Sequence, residues 1–124
     1  MNGNNLFLDT NVVIYLFGGD RTLAELIDGK NIYLSFVTEL ELLSYPDISE
    51  SESFKLRRFL SDCTVVDINS SIKESTIHLR QKYRLKLPDS IIVATAKYLD
   101  LPIITSDLAF SKIEELEIVI YETK

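Results

Sequence analysis

Leu87-Pro88-Asp89-Ser90-Ile91-Ile92-Val93-Ala94-Thr95-Ala96, followed by Leu101-Pro102-Ile103-Ile104-Thr105-Ser106-Asp107, is the stretch whose reading decides the fold. The first block predicts a helix over residues 87–99. Pro88 suits its first turn, where a missing N–H costs nothing. Residues 91–96 are apolar almost all round the helix, which places it in the interior. Pro102-Ile103-Ile104 is short and continuously apolar, as a strand buried on both faces should be.

Working outward, the same alternation recurs. Strands are predicted at residues 6–8, 32–34, 64–66, 102–104 and 118–120. Helices are predicted at 12–17, stopped by Gly18-Gly19, at 21–27, closed by Asp28-Gly29, and at 51–60 and 70–84. A further helix, 38–44, is read as opened by a capping box of Thr38 and Glu41 and ended by Pro46. No strand is joined to the next by a tight hairpin turn. The pattern predicts an α/β domain of three layers, α/β/α, around a short, mostly parallel sheet of about five strands. At 124 residues and 14.2 kDa, one domain over residues 1–124 is expected.

Composition sets further bounds. Hydrophobic residues make up 46% and charged residues 26%, enough apolar matter for a core and against wholesale disorder. Cys63 and His78 are each the sole residue of their type. A disulfide framework, a Cys-based zinc site and a His cluster are therefore excluded, and His78, set between Ile77 and Leu79, is read as structural or exposed, with no partner for triad chemistry. Gly18-Gly19 lacks the spacing of a phosphate loop. No apolar run has membrane-spanning length, and Met1-Asn2-Gly3-Asn4-Asn5 does not open a secretory leader, so a cytoplasmic location away from membranes is expected.

The net charge of −6 and pI near 4.7 argue, at face value, against a nucleic-acid binder. The charge is unevenly spread, however. Residues 55–97 carry nine basic and four acidic side chains, a net of +5, which leaves −11 for the rest of the chain. Lys82, Arg84 and Lys86, just ahead of Asp89, are candidates for phosphate contact, or simply the solvated, dipole-favoured end of a helix.

Ligands of open α/β sheets bind beyond the carboxyl ends of the strands, and four acids fall there. Asp9 follows residues 6–8, Glu41 lies one turn into the helix after 32–34, Asp89 opens the apolar helix, and Asp107 follows 103–106. Each alone has a structural reading: Asp9 and Asp107 as helix caps, Glu41 as half of a capping box, Asp89 as a complement to the helix dipole. Together, four converging carboxylates would repel one another. One or two Mg²⁺ or Mn²⁺ ions, hard cations that favour carboxylate oxygen, remove that conflict and can promote phosphodiester hydrolysis.

At these residues the chain resembles the PIN domain, the fold of metal-dependent ribonucleases that includes VapC-type toxins. Leu6-Phe7-Leu8-Asp9-Thr10-Asn11 looks like the family's opening block. Residues 35–43 look like its second block, with the acid three after Thr38, which selects Glu41 over Glu39. Residues 87–96 and 101–107 look like its third and fourth, with Phe110 beyond. Two departures stand out: Ser106 where many members carry Arg, and Ala109 where many carry an acid before the Phe. The resemblance implies an endoribonuclease that cleaves RNA with metal-activated water. Asp9, Glu41, Asp89 and Asp107 would be its metal ligands and catalytic residues. Asn11 and Thr105 would be auxiliary groups orienting water or a carboxylate, and Lys82, Arg84 and Lys86 would be RNA-phosphate contacts. It further implies a homodimer inhibited by a small antitoxin protein, for which Val12, Val13, Leu23 or Leu26 could serve as contacts if not core.

Three other readings stand beside it. A phospho-acceptor receiver domain would use Asp67, which follows a strand, but it would want paired acids after the first strand and a Lys after the fifth. A phosphatase that phosphorylates its first-strand Asp needs a second Asp where Asn11 stands. A catalytically silent PIN-like module would bind RNA or protein without cleaving.

Overall fold

The structure, a computed structural model, describes residues 4–123. The leader reading at Met1-Asn2-Gly3 lies outside the described residues. Among the described residues five strands form one sheet: β1 (Asn5–Leu8), β2 (Asn31–Ser35), β3 (Thr64–Val66), β4 (Ile103–Thr105) and β5 (Ile118–Ile120). Their order is β3-β2-β1-β4-β5 and every pairing is parallel. β1 lies at the centre, with Phe7 opposite both Tyr33 and Ile103. The chain winds outward from β1 to β3, then returns to place β4 on the other side of β1. That reversal leaves a crevice at the carboxyl ends of β1 and β4.

Helices cover both faces: α1 (Thr10–Phe17), α2 (Arg21–Ile27), α3 (Phe36–Leu43), α4 (Glu50–Asp62), α5 (Ser70–Tyr83) and α6 (Leu87–Leu99). Period-2 alternation sends successive strand side chains to opposite layers. Phe7 and Ile103 join Ile72 and Leu79 of α5 and Ile92, Val93 and Ala96 of α6 in one core cluster. Leu8 and Ile104 join Val12 and Val13 of α1, Leu23 of α2, and Leu56 and Leu60 of α4 in the other. The three layers follow from this two-sided burial. Val12, Val13 and Leu23 are thus core, while Leu26 remains exposed.

One local expectation is corrected. The Thr38–Glu41 capping box does not form, because α3 starts before Thr38. Ser35, the last residue of β2, caps it by accepting from the Val37 N–H at 3.0 Å. Thr38 is wholly buried within the helix instead. A capping box does form at Ser49 and Glu52, opening α4. Beyond β4 lies a short 3-10 helix, Leu108–Lys112, of which the sequence signals only the cap, Asp107; it buries Phe110. Among the described residues no helix is long and apolar enough to cross a membrane.

Candidate metal centre

Asp9 is the first residue after β1 and lies in the crevice between β1 and β4. Its backbone N–H donates to the Ile104 carbonyl at 3.0 Å, so the ladder between the two strands runs up to it. The residue is 5% exposed and both carboxylate oxygens are engaged. Oδ1 accepts from the Thr10 N–H at 2.8 Å, which makes Asp9 the cap of α1, and Oδ2 accepts from the Thr105 hydroxyl at 2.7 Å. Thr105, buried at the end of β4, also accepts from the Asp107 N–H at 3.1 Å. One hydroxyl therefore links the Asp9 carboxylate to the turn that carries Asp107. Asp107 in turn caps the 3-10 helix, accepting from the Ala109 N–H at 2.9 Å.

Asp89 stands half-buried in the first turn of α6, where Pro88 and the helix start fix its backbone. Glu41 projects from α3 and is exposed. It is held by the Thr10 hydroxyl, which donates to Oε1 at 2.7 Å and lies 2.9 Å from the Thr38 hydroxyl. Asn11 reaches towards the turn after β4, with Oδ1 3.4 Å from the Ser106 N. Thr10 and Thr38 are site residues that sequence reasoning misses. Their partnership spans 28 positions, and no periodicity or spacing signals it.

The electrostatics join the four acids. Burial pushes the Asp9 carboxyl from an ordinary 3.8 up to about 6. The hydrogen bonds from Thr105 and Thr10 oppose that rise, and the charges of Asp89 and Asp107 add to it. Asp89 is also raised, first by burial, then by the charges of Asp107 and Glu41, with Lys86 pulling the other way. The crevice thus concentrates negative charge that the protein compensates incompletely. All the donors are hard carboxylate oxygens, which fits Mg²⁺ or Mn²⁺ rather than a soft metal. Among the described residues no three Asp, Glu, His or Cys side chains are grouped closely enough to enclose an ion unaided. Mg²⁺ commonly keeps several waters and takes only one or two carboxylates directly, so an open arrangement is chemically suitable for it.

The three candidate cations are placed differently. Lys82 is engaged elsewhere, 3.5 Å from the Glu115 carboxylate and over the Tyr83 ring. Arg84 forms the left-handed cap of α5, and Lys86 precedes α6 within electrostatic reach of Asp89. His78 also bonds Glu115, at 3.2 Å.

A family model, the PIN domain, matches residues 6–116. The chain belongs to the PIN domain family. Curated proteins offer no match. Among solved structures, this PIN domain is similar to a chain of a toxin–antitoxin complex from Klebsiella pneumoniae at 32% identity. That likeness covers 95% of this chain and 99% of the other, with a TM-score of 0.83. VapBC-1 from nontypeable Haemophilus influenzae shares the fold at 21% identity and TM-score 0.81, covering 94% of this chain and 97% of that one. VapBC2 from Rickettsia felis, bound to a DNA fragment from their promoter, shares it at 21% identity and TM-score 0.80, covering 95% and 99%. Family membership sets the receiver reading aside. In the PIN sheet Asp67 follows the outer strand β3, two strands from the crevice, and its Oδ1 accepts from the Ile68 N–H at 2.8 Å.

Proposed function

We propose that this PIN domain is a Mg²⁺- or Mn²⁺-dependent endoribonuclease that hydrolyses RNA phosphodiester bonds and serves as the toxin of a toxin–antitoxin pair. The observation that carries this is the buried Asp9 carboxylate at the β1–β4 crevice, in the electrostatic company of Asp89 and Asp107. One or two bound divalent ions would supply an activated water and neutralise charge at the leaving oxygen. Asp9, Glu41, Asp89 and Asp107 would hold them. Thr105 fixes the Asp9 carboxylate and the turn bearing Asp107, while Asn11 steadies that turn through Ser106. Of the three candidate cations, Lys86 and Arg84 remain to meet RNA phosphates, since Lys82 is committed to Glu115. Likeness to the Klebsiella toxin–antitoxin chain supports an antitoxin protein as partner. Homodimerisation and a cytoplasmic setting belong to the same proposal.

The test is Mn²⁺-dependent cleavage of RNA by wild type and by Asp9→Asn, each purified from a host free of competing ribonuclease. Outer partners of metal ligands typically matter by about 10–100-fold, and loss of Asp9 itself is expected to exceed that. Equal cleavage by the two proteins overturns the assignment. A second reading, a silent PIN module that binds RNA or protein, draws on the lack, among the described residues, of three such side chains grouped to hold an ion. It predicts that wild type binds RNA and leaves it intact with Mn²⁺ present.

A further inference from the structure

Thr10 touches two acids at once. Its backbone N–H donates to Asp9 Oδ1 and its hydroxyl to Glu41 Oε1, at 2.8 and 2.7 Å. The same hydroxyl lies 2.9 Å from that of Thr38. A carboxylate only accepts hydrogen bonds, and a hydroxyl has one proton to give. The Thr10 proton is therefore committed to Glu41. The contact between the two hydroxyls must then carry the Thr38 proton towards the Thr10 oxygen. The direction of the chain is set: Thr38 donates to Thr10, and Thr10 donates to Glu41.

The placement of the three residues suits this order. Thr38 and Glu41 are three apart on α3 and share one face, while Thr10 approaches from α1. Thr38 is fully buried, Thr10 is half-buried, and Glu41 is exposed. A free Glu side chain on a surface has several rotatable bonds, whereas Thr is stiff at its first torsion. The two hydroxyls thus anchor a flexible exposed carboxylate to the rigid interior. Through the Thr10 N–H they tie it to Asp9 as well.

We propose that Thr10 and Thr38 form a two-hydroxyl relay that positions the Glu41 carboxylate within electrostatic reach of Asp89 for a divalent cation. The inference rests on the acid-site reading given above. Both threonines are positioning residues, acting on the cation through Glu41 in the way that outer partners orient metal ligands.

Calorimetric titration of the purified chain with Mn²⁺ tests the relay, with thermal unfolding in EDTA run alongside. Thr10→Val is expected to raise the Mn²⁺ dissociation constant by about 10-fold or more. Thr10→Ser, which keeps the hydroxyl, should return it to the wild-type value. Thr38→Val should shift it in the same direction as Thr10→Val, by less. Combining Thr10→Val with Glu41→Gln should weaken binding no further than Glu41→Gln alone, because both remove one interaction. A merely structural pair would lower the unfolding temperature and leave the dissociation constant unmoved, which overturns the proposal. So does equal weakening by Thr10→Val and Thr10→Ser, or a Thr38→Val protein that binds as wild type does. If Thr10→Val fails to fold, Thr38→Val against Thr38→Ser decides by the same comparison. Failure of the wild-type chain to take up Mn²⁺ is a distinct result: it removes the acid site itself, and the relay with it.

Discussion

Asp9 is costly to the metal-free fold. Its carboxyl is raised from 3.8 to about 6, so the folded chain binds this proton more tightly than the unfolded chain does. The stabilisation linked to Asp9 is fully present below about pH 3.8 and is lost as pH rises through about 6. At pH 8 the deficit approaches about 3 kcal/mol, taking about 1.36 kcal/mol per unit. Asp9→Asn escapes the charge and keeps the bond from the Thr10 N–H, while its amide NH2 faces the Thr105 hydroxyl that had donated to the carboxylate, which offsets part of the gain. In EDTA at about pH 8, denaturant unfolding should show the Asp9→Asn protein to be more stable than wild type by up to that amount, with the gap closing below about pH 4. Added Mn²⁺ should raise wild-type stability by mass action and leave the variant nearly unmoved. The positions of Asp9, Asp89 and Asp107 are legible in the sequence because each stands at a strand end or helix start. Their hydrogen bonds are not. The Thr105–Asp9 bond joins residues 96 apart, and the Thr10–Glu41 bond joins residues 31 apart.

At the scale of elements, periodicity locates every strand and α-helix of the described residues, and errs where a cap has to be chosen. The pair Thr38 and Glu41 has the form of a capping box, but Ser35 reaches the first turn before it. The box at Ser49 and Glu52 obeys the same spacing and does form. Ser49→Ala should therefore cost about 1 kcal/mol by denaturant unfolding, and leave Mn²⁺ uptake unchanged, since α4 carries none of the four acids. Of the 3-10 helix only the cap, Asp107, shows in the sequence, because its 5 residues are too few to show a period. At the end of α5, Arg84 adopts the left-handed conformation, with φ 57°, where glycine is at ease and other residues are strained. Arg84→Gly should stabilise the chain by about 1 kcal/mol. If Arg84 meets an RNA phosphate, the same change should lower the salt slope of RNA binding by about one. Raised stability with an unaltered slope would remove Arg84 from the interface.

Across the whole molecule, charge has to be read with the site. Four of the nineteen acids make up the proposed metal site, and without them the formal charge of −6 becomes −2. Bound divalent ions invert the local potential that a phosphate meets. A non-hydrolysable RNA analogue is accordingly expected to bind more tightly in Mn²⁺ than in EDTA, by fluorescence anisotropy, with the difference shrinking as salt rises. The neighbour order of the strands is beyond the sequence. Apolar runs announce strands and say nothing of which lie side by side, so the β1–β4 adjacency that builds the crevice emerges only from the fold. That adjacency also has a meaning in time. The strand bearing the first acid and its neighbour β4, with the acid beyond it, stand nearly a hundred residues apart along the chain, β4 following β1. A chain in which β4 has not yet docked on β1 holds no assembled site, so the proposed nuclease can be active only once the two halves of the sheet have met.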